Sequence, residues 1–144
     1  MTVMPIWTTP IKIEELNRRG KNTLSDHLGI EFSAIDDDSL TAVMPIDART
    51  LQPMEIMHGG ASAALAETVA SAAANYCIDR EKFVCVGLDL NINHIRAIRS
   101  GKVKAVAKPF HLGKTTQVWD IKIYNESEQL VSVARLTLSV LKLA

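Results

Sequence analysis

The chain has 144 residues, with sixteen Lys and Arg balanced by sixteen Asp and Glu. This length predicts a single domain over residues 1–144, large enough to bury roughly 68–70% of the unfolded chain's surface without a disulfide or metal staple. Zero net charge argues against a general nucleic-acid binder. No uncharged apolar run reaches the ~18 residues of a membrane span, so a membrane protein is not expected.

Two features predict a cytoplasmic location. The N-terminal stretch, Met1 to Trp7, has no cationic segment ahead of an apolar one, as a secretory leader would have. Cys77 and Cys85 have no motif spacing, which suits a reducing compartment and excludes a disulfide scaffold.

The first elements in chain order are two short helices and a hairpin. Ile11 to Arg19 carries acidic residues early and basic residues late, the charge order of a short helix. A second helical turn follows at Thr23 to His27. Ile30 to Ile35 and Leu40 to Met44 then flank a polar turn at 36–39, which predicts a β-hairpin.

One long helix is predicted from Ala61 to Cys77. These seventeen residues include eight Ala and no Gly or Pro, and Glu67 is their only charge. Such a helix is about 25 Å long. Because nearly every face is small or apolar, protein should surround it, with Leu65 and Val69 facing a sheet and Glu67 in a buried groove of small residues.

Four extended runs follow the helix. From Val84 to Ile92 the even positions are apolar, and His94 closes the run on the same face. Short turns separate the remaining runs and favour an antiparallel meander; the runs are Lys102–Lys108, Gln117–Tyr124 and Gln129–Leu141. One helix covers only one face of six strands. We therefore predict an α+β fold in which a curved sheet wraps the helix, with further burial through oligomerisation.

Glu67 and the segment before its helix are the first functional candidates. A lone buried carboxylate must be paired, protonated or functional, and a carboxylate held at a subunit interface is an equally good interpretation. Consecutive glycines at 59 and 60 allow close approach of a ligand, and their two free N–H groups could stabilise an oxyanion. A glycine pair alone is more often a tight turn, and His58 alone a satisfied loop histidine. Together with Glu67 they favour carbonyl chemistry.

The other histidine and the basic residues have structural alternatives. His94 on an apolar face is more often a core histidine than a ligand, and a zinc site of His58, Glu67 and His94 has no recognised spacing, so no metal is predicted. No acid lies between Ile95 and Trp119, where His111 accompanies six cationic residues: Arg96, Arg99, Lys102, Lys104, Lys108 and Lys114. These are either solvated strand edges and turns or a rim that binds a small phosphorylated ligand.

Six short motifs, in their order and spacing, resemble the hotdog-fold acyl-CoA thioesterases of the phenylacetic-acid-degradation type. They are Gln52-Pro53, His58-Gly59-Gly60-Ala61-Ser62, Leu65-Ala66-Glu67, Val86-Gly87-Leu88, Asn93-His94 and His111-Leu112-Gly113. The resemblance implies hydrolysis of an aryl- or medium acyl-CoA, with 1,4-dihydroxy-2-naphthoyl-CoA as one candidate. CoA is then part of the substrate and no separate cofactor is required. An acyl-CoA dehydratase and a non-catalytic acyl-CoA-binding module are the alternatives.

The resemblance also implies residue roles. Glu67 would be the nucleophile or general base, Gly59 the oxyanion amide and Gln52 the ligand of the thioester carbonyl. Ser71 and His94 would orient water or the acyl group. CoA would be bound by Gly87, Arg96, His111, Gly113 and Lys114.

An assembly follows from the same resemblance. Each site would lie between two subunits, with Glu67 from one and Gln52, His58 and Gly59 from the other, and two dimers would form a tetramer. An acyl or aryl carrier protein is an alternative donor of the thioester. Met54-Glu55 stands where such proteins commonly carry Phe-Gly, and these side chains are candidates to line the acyl pocket.

Overall fold

A computed structural model describes residues 4–144, so Met1–Val3 of the N-terminal stretch lie outside the described residues. The predicted short helices, hairpin, long helix and four strands are all present. In chain order the elements are α1 Ile13–Arg19, α2 Leu24–His27, β1 Glu31–Ile35, β2 Leu40–Pro45, α3 Gly59–Asn75, β3 Phe83–His94, β4 Lys102–Leu112, β5 Thr116–Asn125 and β6 Leu130–Lys142. The long helix therefore begins at Gly59 and includes both glycines.

The six strands form one antiparallel sheet in the order β1-β2-β4-β5-β6-β3. The predicted meander is correct for β4, β5 and β6 but wrong for β3, which lies at the far edge beside β6. The physical reason is the length of the link at 95–101, which is longer than the two to five residues of a hairpin loop. Helix α3 carries the chain from β2 to this far edge.

Helix α3 packs against β2, β3, β4, β5 and β6. Leu65 and Val69 are completely buried, as predicted, and the wider buried stripe comprises Ala61, Ser62, Leu65, Ala66, Val69, Ala70, Ala73 and Ala74. The strands contribute large buried side chains such as Trp119, Ile121 and Leu136. The predicted α+β arrangement of a curved sheet around one long helix is confirmed. Among residues 4–144, no helix is long and apolar enough to cross a membrane.

Strand β3 contains a bulge that reverses its side-chain alternation. Gly87 pairs with Leu138 and Asp89 with Thr137, so Leu88 has no partner on β6. One extra residue moves every later side chain to the opposite face. Cys85 is therefore buried before the bulge, whereas Leu90 packs against the core after it. The prediction that all even positions share one apolar face is wrong, since Leu88 is 63% exposed.

Asn75 joins the end of α3 to the start of β3. Its Nδ2 donates to Ser71 O at 2.9 Å and Cys85 O at 3.1 Å, and its Oδ1 accepts from Cys85 N at 2.9 Å. We expect Asn75→Ala to lower the free energy of unfolding by about 2–3 kcal/mol, because three hydrogen bonds are lost and partly buried backbone groups are left unpaired. Denaturant unfolding measures this loss. Asn93→Ala, in an exposed position on β3, is the matched control and should cost less than about 0.5 kcal/mol; equal losses would contradict the prediction.

Candidate active site

The start of α3 is organised by His58. Its Nδ1 accepts a hydrogen bond from the Gly60 N–H at 2.7 Å, so the ring caps the helix. The Gly60 amide is thereby occupied, and the prediction of two free amides is corrected to one. Within residues 4–144 the Gly59 N–H donates no hydrogen bond. An unoccupied backbone donor at a helix start is suited to an oxyanion.

His94 lies directly against Gly59. A Cβ atom built on Gly59 would be 2.8 Å from His94 Nε2, so the ring can adopt this position only beside a glycine. The other ring nitrogen, Nδ1, is 3.3 Å from Ser62 Oγ and 3.4 Å from Ser132 Oγ. His94 is exposed and has hydroxyl neighbours, so it is not the buried core histidine of the structural alternative.

Gln52 shares a cleft with these residues. The cleft has a volume of about 310 Å³ and is also lined by Gly59, His94 and Arg96, which is at the small end of ligand sites. Met54 and Glu55 do not line it, and Met54 is 74% exposed. The prediction that their side chains line the acyl pocket finds no support in this cleft.

Glu67 lies on the exposed face of α3, so the prediction that it is buried is wrong for the single chain. Its neighbours Ala63, Ala64 and Ser71 are only partly buried. The reason is that β3 is the edge strand and no further strand of this chain covers that face. The carboxylate rests against β3, because a Cβ built on Gly87 would be 2.5 Å from Glu67 Oε1. A glycine at position 87 leaves room for this carboxylate.

One chain does not bring Glu67 to the Gln52 cleft. Glu67 follows Gly59 by eight residues of continuous helix, which is about 12 Å along the helix axis. A base or nucleophile must come within about 3 Å of the atom that it attacks or deprotonates. The chain therefore carries two separate candidate half-sites, one with the Gly59 N–H and Gln52 and one with the Glu67 carboxylate.

Ser71 lies one helical turn after Glu67, on the carboxylate half-site. It lines a groove of about 250 Å³ between α3 and the N-terminal helices, together with Leu16, Phe32, Thr68 and Tyr76. Glu67 itself does not line this groove, so Thr68 and Ser71, and not the carboxylate, face it from this part of α3.

The predicted phosphate-binding residues separate between the same two regions. Arg96 lines the Gln52 cleft, whereas His111, Gly113 and Lys114 lie at the opposite end of β4, a strand about 36 Å long. That end of β4 is on the same side of the sheet as Gly87, the β3 residue next to the Glu67 carboxylate. Gly87 pairs with Leu138 on β6, Leu138 with Gln117 on β5, and Gln117 with Leu112 on β4. A single continuous rim within one chain is therefore excluded.

Gly113 and Lys104, both in the basic segment at 95–119, have local structural roles. The Gly113 N–H donates to Thr116 O at 2.9 Å, and a Cβ on Gly113 would approach His111 Nε2 to 2.5 Å. Lys104 is paired with Glu128 at 2.7 Å. Arg96 and Lys114 make no ion pair among the described residues, so their charges are available to a ligand.

The cysteines do not provide a nucleophile at neutral pH. Burial raises the pKa of Cys77 to about 12, with a smaller contribution from Cys85, and burial raises the pKa of Cys85 to about 11. Almost no thiolate is present under these conditions. Across residues 4–144, no three His, Cys, Asp or Glu side chains form a group that could hold a metal ion.

Comparisons with known proteins agree with this fold. The family model for the Thioesterase superfamily matches residues 54–132. The 1,4-dihydroxy-2-naphthoyl-CoA hydrolase of Escherichia coli is 46% identical over 136 residues, covering 94% of this chain and 99% of that protein. The proofreading thioesterase EntH of Cronobacter turicensis is 43% identical over 136 residues, covering 94% and 98%. The crystal structure of a mutant thioesterase from Pseudomonas aeruginosa is 48% identical, with a TM-score of 0.95 over 96% of this chain and 99% of that one.

The chain belongs to the thioesterase superfamily. It has the hotdog fold and is a thioester hydrolase, and the resemblance found in the sequence motifs is confirmed. The roles of Glu67, Gly59, Gln52, His58, Ser71 and His94 stay predictions.

Proposed function

We propose that the protein hydrolyses an aryl- or medium-chain acyl-CoA thioester to the free acid and CoA, at a site completed by a second copy of the chain. The observation that carries the proposal is the separation of the Gly59 N–H from the Glu67 carboxylate within one chain. Thioester hydrolysis needs both groups at one carbonyl. A two-fold dimer that brings one chain's α3 N-terminus to the other chain's Glu67 supplies two such sites.

Each residue then has a defined part in the reaction. The Gly59 N–H and the Gln52 side-chain amide donate hydrogen bonds to the thioester oxygen, which becomes an oxyanion as the carbonyl is attacked. Glu67 supplies the electron pair, either directly to the carbonyl carbon or through a water that it deprotonates. The C–S bond breaks when the tetrahedral intermediate collapses, and CoA leaves as a thiolate that then takes up a proton. After direct attack the acyl group is held on Glu67 as a mixed anhydride, and a water molecule hydrolyses this anhydride to the free acid and restores the carboxylate. Ser71 and His94 orient the water or the acyl group.

The exposed surface supports a dimer at the β3 edge. Val86 and Leu88 on this edge strand are 41% and 63% exposed, and an unpaired strand edge with apolar side chains is readily extended by another strand. Dimers built in this way can pair into the tetramer that the sequence motifs imply. We place the protein in the cytoplasm, where acyl-CoA esters and acylated carrier proteins are both available.

Arg96 and Lys114 are the CoA-binding cations of this proposal. They lie at opposite ends of one chain, but a two-fold dimer brings the Arg96 end of one chain to the Lys114 end of the other. Both cations can then face the phosphates of a single substrate. His111, Gly113 and Gly87 belong to the same composite surface.

The decisive assay is thiol release from a panel of aromatic and aliphatic acyl-CoA esters, together with one acylated carrier protein. The relative from Escherichia coli is named for 1,4-dihydroxy-2-naphthoyl-CoA, and this ester is the first choice. Release of free thiol from at least one ester is expected. Binding of esters without thiol release would identify a binding module, and hydration of an enoyl-CoA would identify a dehydratase.

Mixing two inactive variants tests the shared site. Glu67→Ala removes the carboxylate and Gly59→Pro removes the oxyanion N–H. If each site takes these groups from different chains, a mixed dimer has one intact site and one doubly damaged site. Random exchange of subunits should then restore up to about a quarter of the wild-type activity. Each variant alone must retain native size and folding, and no recovery after verified exchange would show that each site lies within one chain.

A further inference from the structure

The segment that carries Gln52 is a miniature hairpin. Leu51 and Met57 form an antiparallel bridge. Inside it, the Gln52 N–H donates to Ile56 O at 2.9 Å and the Glu55 N–H donates to Gln52 O at 2.8 Å. This is the pattern of a three-residue loop that closes through one residue in the left-handed conformation. Glu55 is that residue, with φ of 62°.

The Gln52 side chain is held by the same loop. Its Oε1 accepts a hydrogen bond from the Met54 N–H. Because the amide oxygen is occupied, the Nε2 group is the end that remains to donate to a ligand. Gln52 lines the cleft that contains Gly59, so the loop decides which end of the amide is presented there.

The rest of the hairpin is fixed to the protein around it. The Met57 N–H donates to Ile98 O at 2.7 Å, and the His58 N–H donates to Thr50 O at 2.8 Å. Only the tip at 53–55 lacks such anchors, apart from a 3.4 Å contact from Arg99 Nη1 to Met54 O. The position of the Met54 N–H, and with it the orientation of Gln52, therefore depends on the backbone at Glu55.

We propose that Glu55 is a positioning residue, whose left-handed backbone closes the loop and holds Gln52 Nε2 as a donor for the thioester carbonyl. The inference rests on the proposed function. It assigns the effect to the backbone conformation and not to the carboxylate. Glycine at this position should preserve the geometry, whereas a β-branched residue, which strongly disfavours positive φ, should destroy it.

The test compares Glu55→Gly, Glu55→Gln and Glu55→Val in wild-type and Gln52→Ala backgrounds. Glu55→Gly and Glu55→Gln should keep kcat within about twofold of wild type. Glu55→Val should lower kcat about tenfold or more with KM nearly unchanged, because a donor moved by about 1 Å loses most of its effect in the transition state. In the Gln52→Ala background Glu55→Val should cause no further loss, since the group that it positions is gone.

Several results would overturn the proposal. Wild-type kcat in Glu55→Val would do so, as would an equal fractional loss in both backgrounds, or a loss in Glu55→Gln as large as that in Glu55→Val. If Glu55→Val fails to fold, Glu55→Thr, which is also β-branched but polar, replaces it.

A readout without turnover separates this inference from the proposed function. The side-chain NH₂ signals of Gln52 in a ¹⁵N–¹H spectrum should be dispersed in wild type and Glu55→Gly, and averaged in Glu55→Val. If the wild-type protein released no thiol from any ester, the proposed function would fail while the spectrum still tested the loop. Averaged signals in the wild type would refute the positioning role.

Discussion

Glu67→Gln is expected to lower kcat for thioester hydrolysis by about 10²–10⁴-fold while the fold and the oligomer are retained. The amide has nearly the same shape as the carboxylate, but it can neither attack a carbonyl nor accept the proton of a water molecule. Glu67 is exposed in the single chain and makes no ion pair among the described residues, so neutralising it removes no contact that stabilises the core.

The measurement is steady-state thiol release, accompanied by size-exclusion chromatography and thermal unfolding. Glu31→Gln on β1 is the matched control, because it makes the same chemical change at an exposed carboxylate on the sheet edge opposite to β3. It should retain full activity. If Glu67→Gln hydrolysed the ester within about threefold of wild type, Glu67 would be neither nucleophile nor base.

Gly59→Pro is expected to lower kcat by about 10²–10³-fold, the usual loss for one oxyanion donor. Proline is well tolerated at the first position of a helix, where its missing N–H breaks no helical hydrogen bond. The preceding residue also fits, since His58 has φ of −65° and ψ of 128°, the extended region that a residue before proline prefers.

Gly59→Ala provides the comparison that isolates the amide. Both variants add a Cβ to residue 59. This atom would lie 2.8 Å from His94 Nε2, so both variants displace the His94 ring. Only the proline variant lacks the N–H. We expect Gly59→Ala to lose less than about tenfold in kcat, and equal losses in the two variants would assign the effect to His94 and not to the oxyanion donor.

The sequence predicts the elements of this fold better than their arrangement. The run of alanines from 61 to 74 predicts the long helix, because few other structures suit so many small apolar residues without Gly or Pro. The placement of β3 was missed because pairing order depends on long-range contacts, which leave no periodic signal. The bulge at Leu88 was missed because apolar residues continue at the even positions of the sequence on both sides of it. The unpaired residue nevertheless reverses the sheet face on which the later even positions lie.

The sequence predicts which residues belong to the candidate site, but it does not predict their exposure, their hydrogen bonds or their backbone conformation. A Glu in an alanine-rich helix stands out in any sequence, but its exposure follows from the edge position of β3. The use of the Gly60 amide by His58 depends on a side-chain rotamer, and the left-handed Glu55 carries none of the usual Gly or Asn signal.

The bulge in β3 also predicts how this strand tolerates insertions and deletions. Glu67 is accommodated by Gly87, just before the unpaired Leu88, and Gly59 is covered by His94, which comes after it. Removing the unpaired Leu88 would keep His94 on its present face, because Asp89 already pairs with Thr137 next to the Gly87–Leu138 pair. A further residue inserted between 88 and 94 would instead turn His94 to the outer face. Single-codon insertions there should therefore be lost from functional libraries, whereas loss of the Leu88 codon, or a codon added beside the exposed Ser100, should be carried far more often.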